Sequence, residues 1–239
     1  MASEIRIERR FRGPSSSGNG GWTAGRLAEQ HLATGADGPV QVTLRQPPPL
    51  DTPLTVEPGD QTRLLAPGGG IVAEAVGATL PGPVDPVDIA TAKGAEREYA
   101  GFRNHPFPEC FTCGPDRAEG DGLRVFPGPN GPGLTACTWT PHPSMAAPDG
   151  RLDPAYVWAA LDCPGGWTDD LEGRPMVLGR MTAQIDSRPI AGETHVVVGR
   201  QVSVDGRKTH TASTVYDASG LVIGRARHVW IAIDPAAFS

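Results

Sequence analysis

A glycine-rich stretch leads into a strong helix signal in "GPSSSGNGGWTAGRLAEQHL", residues 13–32. Its second half is rich in helix formers, and Ser17 and Asn19 are side chains that cap free N–H groups where a helix begins. Gly20 and Gly21 carry no side chain, so another group can come close to the backbone there. Because N–H groups at a helix start attract negative oxygen atoms, two interpretations are open. The stretch is either an ordinary capped helix packed closely on a sheet or a cradle for a ligand carbonyl.

A second helix signal, "DPAYVWAALD" (residues 153–162), ends on a carboxylate, Asp162. This residue follows mostly apolar neighbours near a helix carboxyl end, where the helix dipole disfavours an anion. Apolar surroundings raise a carboxyl pKa towards the range of a general base that activates water. The sequence therefore makes Asp162 the candidate base, the alternative being a solvent-facing Asp in the last helical turn.

The pair Cys110-x-x-Cys113, with His105 nearby, has the spacing that begins a zinc site. No second pair at the usual spacing follows it. The remaining candidate ligands lie far away in the sequence: Cys137, His142 and Cys163. We therefore expect no metal, and reduced thiols in a packed loop. Cys163 is expected just beyond a helix carboxyl end, where no helix dipole lowers a thiol pKa, so it is not a candidate nucleophile.

Composition narrows the class of protein. The chain has 239 residues and 25.1 kDa, enough for one large domain or two small ones. A hydrophobic content of 38% and a charged content of 20% are typical of a soluble globular protein. The net charge of −6, with no basic stripe, argues against a nucleic-acid partner. No apolar run approaches the roughly 18 residues of a membrane span, and the first ten residues lack a secretory signal core. We expect a cytoplasmic protein with no membrane partner.

The same order of elements is predicted twice. Residues 3–11 alternate as a half-buried strand does, a helix follows to about residue 33, and about four strands complete residues 1–80. From residue 134 a strand, a helix begun by Asp153 and Pro154 and stopped at residues 163–166, and four strands follow again. The segment 81–133, rich in proline, glycine and cysteine, is expected to pack on the body. We therefore predict two halves, 1–80 and 134–239, joined by residues 81–133.

A helix wrapped by an antiparallel sheet and present twice resembles the tandem, or double, hot-dog fold. That family includes acyl-CoA thioesterases, hydratases and dehydratases, and the resemblance implies an α+β protein with two antiparallel sheets, each wrapping a central helix. The stretch "NGGWTAGRLAE" looks like the His-Gly-Gly-to-acid helix of small hot-dog thioesterases, with Asn19 in place of the histidine. "DPAYVWAALD" looks like the same helix with Asp153 in that place. Asp162 lies nine positions after Asp153, as the acid does in those relatives, whereas Glu29 lies ten after Asn19.

The resemblance implies hydrolysis of an acyl thioester carried by coenzyme A or a carrier protein, without a cofactor. Asp162 would activate water, and Asn19, Gly20 and Gly21 would hold the thioester carbonyl. The candidate substrate-binding residues are Ser17, Trp22, Glu29, Trp158 and Arg103: the tryptophans as an acyl-tunnel lining, and Arg103, with Arg117 and Arg124, as contacts for coenzyme A phosphates.

Several alternatives stay open at this point. A hot-dog hydratase or dehydratase would need a histidine near Asp162, whereas a catalytically inactive acyl-CoA-binding protein would agree with the missing histidine in both helices. Because the halves have diverged, a single composite site is one option, and pairing of chains into a homodimer is another. The histidines in the strand patterns are expected to be hydrogen-bonded or exposed: His195, His210 and His228.

Overall fold

Eleven strands form one continuous antiparallel sheet in a computed structural model of the chain, which describes residues 3–234. The strands are β1 (Ser3–Arg6), β2 (Val40–Leu44), β3 (Pro53–Glu57), β4 (Thr62–Leu65), β5 (Ile71–Gly77), β6 (Gly128–Pro129), β7 (Leu134–Trp139), β8 (Met176–Ile185), β9 (His195–Asp205), β10 (Lys208–Tyr216) and β11 (Val222–Ala232). Three α-helices accompany them: α1 (Gly20–Leu32), α2 (Ile89–Glu96) and α3 (Pro154–Gly166). No described helix has the length and apolar character needed to cross a bilayer.

The strand order across the sheet is β1-β3-β4-β5-β2-β8-β11-β10-β9-β7-β6. Outwards from the centre, the order β2-β5-β4-β3-β1 on one side corresponds to the order β8-β11-β10-β9-β7 on the other. The strand order on one side of the sheet therefore mirrors the order on the other. The two sheets expected from the resemblance are joined into one, because β2 pairs antiparallel with β8, with Val42 opposite Met181. Each of these strands would otherwise leave a row of unpaired N–H and C=O groups at a sheet edge, and their pairing satisfies both rows.

Helices α1 and α3 pack against each other and against the sheet. Asn19 caps α1 by accepting the Trp22 N–H, and Asp153 caps α3 by accepting the Ala155 N–H. Close approach depends on glycine: a Cβ built on Gly21 would lie 2.7 Å from both the Cβ of Asp162 and the carbonyl oxygen of Trp158. Gly21 therefore serves the contact between α1 and α3, whereas Gly20 lies against Leu178 of β8 and Leu44 of β2.

Some element ends differ from the sequence prediction. The first strand ends at Arg6, and a 3₁₀ turn follows at Arg9–Phe11. Helix α3 does not stop at Cys163 but continues to Gly166, with Pro164 in its last turn. Proline removes one helical hydrogen bond but has a helical φ, and the Pro164 carbonyl accepts the Thr135 hydroxyl at 2.8 Å. Cys163 consequently lies inside α3, not beyond it.

Residues 81–133 contribute a helix and buried side chains to the body of the protein. Helix α2 covers the outer strands near β7, and Phe111, Val125 and Phe126 are buried in the core. The Tyr99 hydroxyl donates to the Cys113 carbonyl at 3.0 Å. This segment therefore contributes side chains to the protein interior, and Thr112 contacts α3 through the Ala159 carbonyl.

Candidate active site

The Asp162 carboxylate lies at the amino end of α1. Its Oδ2 accepts the Gly21 N–H at 2.9 Å, across the contact between α1 and α3. The next N–H, that of Trp22, is bound by Asn19 Oδ1 at 2.8 Å. The first N–H of the helix, that of Gly20, has no hydrogen-bond acceptor within residues 3–234. The start of α1 therefore keeps one free amide beside a carboxylate.

Asp162 is 2% exposed, so it is not the solvent-facing residue of the alternative interpretation. Its Oδ1 is buried and has no hydrogen-bond partner in the described part of the chain. Burial raises the Asp162 pKa to about 7, an effect supported by the nearby Cys110 sulfur and partly opposed by the Gly21 hydrogen bond and by the side-chain amide of Asn19. A carboxyl with one bound oxygen and one unpartnered oxygen can accept a proton from a small ligand.

A cavity of about 240 Å³ reaches this carboxylate. Ser17, Asn19 and Gly20 line it from the start of α1, and Asp162 lines it from α3. Its apolar wall includes Leu44, Met176, Leu178, Trp167 and Trp230. Pockets for small molecules combine an apolar lining with a few polar groups that converge on one point. Here the lining includes both Gly20, whose N–H has no acceptor in the described chain, and Asp162.

Three cysteines and a histidine line the same cavity: His105, Cys110, Cys113 and Cys163. The Sγ atoms of Cys110, Cys113 and Cys163 all lie within 4.8 Å of one another, and His105 Nε2 lies 3.3 Å from Cys113 Sγ. Hydrogen bonds from the Cys113 and Cys163 thiols hold the Cys110 pKa well below its usual value. Burial raises the pKa of Cys163. The structure thus brings Cys163 to the Cys-x-x-Cys pair, which its sequence separation did not predict.

Four of the predicted substrate-binding residues lie outside the lining of this cavity. Trp22 stacks on Phe11 at a ring distance of 3.8 Å, and Trp158 is buried against Gly25 of α1. Glu29 is exposed and pairs with Arg26 at 3.0 Å. Arg103 is exposed and lines a separate groove near Trp167. Of this set, only Ser17 is brought to the cavity.

The other arginines and the strand histidines also lie elsewhere. Arg117 is buried and bound by the backbone carbonyls of Glu109 and Arg10, and Arg124 donates to the Arg117 carbonyl. His195 and His228 are buried in the sheet, and His210 is half-buried. Among the described residues, no histidine forms a hydrogen bond with Asp162.

Helices α1 and α3 differ in the residues that follow their N-caps at the first and the ninth positions. Counted from the N-cap, Ala28 of α1 holds the place that Asp162 holds in α3. Pro154 of α3 holds the place of Gly20 and has no N–H to offer. Any counterpart site at the start of α3 would therefore lack both the carboxylate and the first amide.

Sequence reasoning missed part of the cavity wall. Arg45 and Gln46, just after β2, line it, as do Leu178 and Gly179 of β8. Arg45 pairs with Glu74 at 2.6 Å. The one local signal for Cys163 is that it directly follows Asp162 on the same helix. No local signal indicates the β2–β8 side, because that wall forms only where distant strands pair.

No family model matches the chain, and no curated protein matches it. Solved structures do match over nearly the whole chain. A hot-dog protein of unknown function from Alicyclobacillus acidocaldarius has a TM-score of 0.64 and 11% identity, covering 98% of this chain and 96% of that one.

Two further solved structures match nearly the whole chain. The tesB protein of Mycobacterium avium subs paratuberculosis has a TM-score of 0.61 and 13% identity, covering 93% of this chain and 90% of that one. A protein from Lactobacillus plantarum, provisionally named an oleoyl thioesterase, has a TM-score of 0.57 and 9% identity over 98% and 96%. The chain therefore has the hot-dog fold, and the resemblance to hot-dog proteins of the thioesterase type is confirmed at the level of the fold.

Proposed function

We propose that this protein hydrolyses an acyl thioester, with Asp162 as the base that activates water. The observation that carries the proposal is the unpartnered Oδ1 of Asp162, buried on the wall of a cavity beside the free Gly20 N–H. A general base must lie within hydrogen-bond reach of the proton it removes. An amide fixed at a helix start is suited to an oxygen that gains negative charge during the reaction. Both requirements meet at the amino end of α1.

The proposed reaction has two steps. Asp162 accepts a proton from water as the water oxygen bonds to the thioester carbon, and the carbonyl electron pair moves onto the oxygen, which accepts the Gly20 N–H. The carbonyl then re-forms and the carbon–sulfur bond breaks. The sulfur leaves with the electron pair of that bond and takes the proton from Asp162. The products are a carboxylic acid and the free thiol of coenzyme A or a carrier protein.

We propose a division of roles within the sequence-predicted set. Gly21 positions the carboxylate through its N–H, Asn19 holds the start of α1, and Ser17 lines the substrate cavity. Trp22, Trp158, Glu29 and Arg103 are left out of this set, because none of them lines that cavity. The acyl group would lie against the apolar wall built around Leu44, Met176 and Leu178.

We also propose that residues 1–80 and 134–239 are two hot-dog halves that share one composite site. The mirrored strand order supports this duplication. The amide comes from α1 of the first half and the carboxylate from α3 of the second. Ala28 and Pro154, at the corresponding places, leave the second site without either group.

A catalytically inactive acyl-thioester-binding protein is the second candidate. It is favoured by the Gly21 N–H, which is occupied by Asp162 and so cannot meet a ligand, and by the absence of a histidine at Asn19 and Asp153. A hydratase or dehydratase has less support, because no histidine in the described chain is hydrogen-bonded to Asp162.

The test uses a panel of acyl-CoAs of different chain length, with release of free thiol as the measurement. Asp162→Asn is expected to lower kcat by about 10²- to 10⁴-fold on the best substrate. Glu29→Gln, which changes the exposed acid of the other helix, is the matched control and should keep full turnover. Acyl-CoA binding without thiol release would favour the binding protein, and equal turnover by Asp162→Asn and the parent would remove Asp162 from the mechanism.

A further inference from the structure

Two thiols from the connecting segment and one from α3 meet beside the cavity. Cys110 and Cys113 lie in the segment 81–133, and Cys163 lies in the last turn of α3. Their Sγ atoms are within 4.8 Å of one another, and Cys110 Sγ lies 3.9 Å from Cys163 Sγ. All three residues are buried and unbridged. Neither their burial nor the proposed hydrolysis requires three sulfurs at one point.

We propose that Cys110, Cys113 and Cys163 are the protein ligands of a thiolate-bound divalent metal ion of the Zn²⁺ type. Zinc prefers cysteine sulfur at about 2.3 Å in a tetrahedral arrangement, which separates neighbouring sulfurs by about 3.8 Å. The distance between Cys110 Sγ and Cys163 Sγ is 3.9 Å, which differs from this value by only about 0.1 Å. Because all three sulfurs lie within 4.8 Å of one another, no separation has to close by more than about 1 Å to reach the tetrahedral value.

The backbone around the cluster is fixed by the fold. The Thr112 hydroxyl donates to the Ala159 carbonyl of α3 at 3.0 Å and ties the Cys-x-x-Cys turn to the helix that carries Cys163. The Gly114 N–H donates to the Cys110 carbonyl at 2.9 Å. A Cβ on Gly114 would lie 2.4 Å from the Pro108 carbonyl oxygen, so this turn admits only glycine there. The three sulfurs are therefore held together by contacts that do not involve the sulfurs.

Two N–H donors contact the sulfurs. Asn19 Nδ2 donates to Cys110 Sγ at 3.7 Å. His105 Nδ1 accepts the Phe107 N–H at 2.8 Å, so the ring proton lies on Nε2, which donates to Cys113 Sγ at 3.3 Å. Such donors stabilise thiolate ligands from the outer coordination shell. In this arrangement His105 orients a ligand and is not a fourth ligand itself.

The fourth coordination position then faces the cavity. The three cysteines, His105 and Asp162 line the same cavity, and a site with three protein ligands keeps its fourth position for water or another small ligand. The sequence expectation of no metal rested on the lack of a second nearby pair and on the sequence distance of the other candidate ligands, Cys163 among them. The fold supplies the third ligand from 50 residues further along the chain, counted from Cys113 to Cys163.

The test is the metal content of untagged, full-length protein purified without chelators, measured by inductively coupled plasma mass spectrometry. We expect close to one zinc per chain. Cys110→Ser, Cys113→Ser and Cys163→Ser should each weaken metal binding at least tenfold. Cys137→Ser is the matched control, because Cys137 is equally buried in β7 but outside the cluster, and it should keep the full metal content.

A second measurement does not depend on the folding of the variants. Co²⁺ added to reduced, metal-free wild-type protein should give the sulfur-to-cobalt charge-transfer absorption of a thiolate site, and Zn²⁺ should remove it. Zn²⁺ should also slow the alkylation of Cys110, Cys113 and Cys163 without changing the rate for Cys137. Absence of the cobalt band, loss of metal in Cys137→Ser to the same extent, or a Cys110–Cys163 disulfide in protein purified under reducing conditions would overturn the proposal. None of these measurements uses turnover, so failure of the proposed hydrolysis leaves them unaffected.

Discussion

Gly21 of α1 donates its N–H to the Asp162 carboxylate of α3 at 2.9 Å, so the two central helices meet through a backbone amide and an acid. This bond uses one carboxylate oxygen and leaves the other buried without a partner. It also means that the second amide of α1 orients the acid, while the first, that of Gly20, has no acceptor in the described chain.

Gly21→Ala is expected to lower the free energy of unfolding by about 1–3 kcal/mol, because the added methyl group overpacks the contact between α1 and α3. The new Cβ would lie 2.7 Å from the Trp158 carbonyl oxygen. Urea unfolding followed by circular dichroism measures the change. Gly94→Ala in α2 is the control, since nothing lies within 4 Å of its Cβ position, and it should stabilise by about 0.4–1 kcal/mol. Equal stability of Gly21→Ala and wild type would contradict the packing described here.

The free Gly20 amide can be tested by a pair of substitutions. Gly20→Ala and Gly20→Pro both add a Cβ near Leu178, at 2.9 Å in the present structure, but only proline removes the N–H. Proline is favoured at the first position of a helix, so the fold should tolerate both changes similarly. We expect kcat/KM of Gly20→Pro to be about 10²-fold below that of Gly20→Ala. Equal rates for the two variants would mean that this amide does not hold the reacting oxygen.

Asn19→Ala should destabilise the protein by about 0.5–2 kcal/mol, because the Trp22 N–H loses its cap. Asn19→Ser keeps a capping oxygen and is expected to recover most of that loss. Thermal unfolding at neutral pH is the measurement. If the two variants were equally unstable, the role of Asn19 would be to fill space and not to cap α1.

Acidification should lower the free energy of unfolding, and His228 of β11 should be one cause. Burial lowers the pKa of His228 to about 3, with the nearby Arg227 charge acting in the same direction and contacts to Thr211 and Leu161 opposing it. The unfolded chain binds the proton near pH 6.5, whereas the folded chain does not until near pH 3. The stabilising effect is therefore complete above about pH 6.5 and is lost as the pH falls towards 3.

The measurement is the urea unfolding free energy of wild type and His228→Gln between pH 7 and pH 4. Wild type should lose up to about 1.4 kcal/mol per pH unit more than the variant in this window. Parallel pH curves for the two proteins would show that His228 is accessible to protons in the folded state.

Local sequence signals, such as helix caps, predicted much of the fold. They did not predict the contacts between segments that are distant in the sequence. Asn19 and Asp153 marked the starts of α1 and α3 correctly. The pairing of β2 with β8 had no local signal, because it joins two strand edges that are about 140 residues apart. The end of α3 was missed because Pro164 and the glycines beside it usually stop a helix.

For the candidate site, helix caps and an acid in an apolar context were enough to select Asn19, Gly20, Gly21 and Asp162. These four residues do lie together. Trp22 and Trp158 were selected because aromatic rings often line acyl pockets, but the packing between helices uses them instead. The cysteine cluster could not be predicted, because its assembly depends on how residues 81–133 dock on α3.

The joining of all eleven strands into one sheet also bears on aggregation. In the described chain the sheet ends in short strands, β1 of four residues and β6 of two, and β6 pairs with only Thr135 and Ala136 of β7. Short edges are poor templates for an incoming strand from another molecule. The seam between β2 and β8 thus buries the two edges that would otherwise be most open to polymerisation, and it protects the folded chain against edge-to-edge fibre growth.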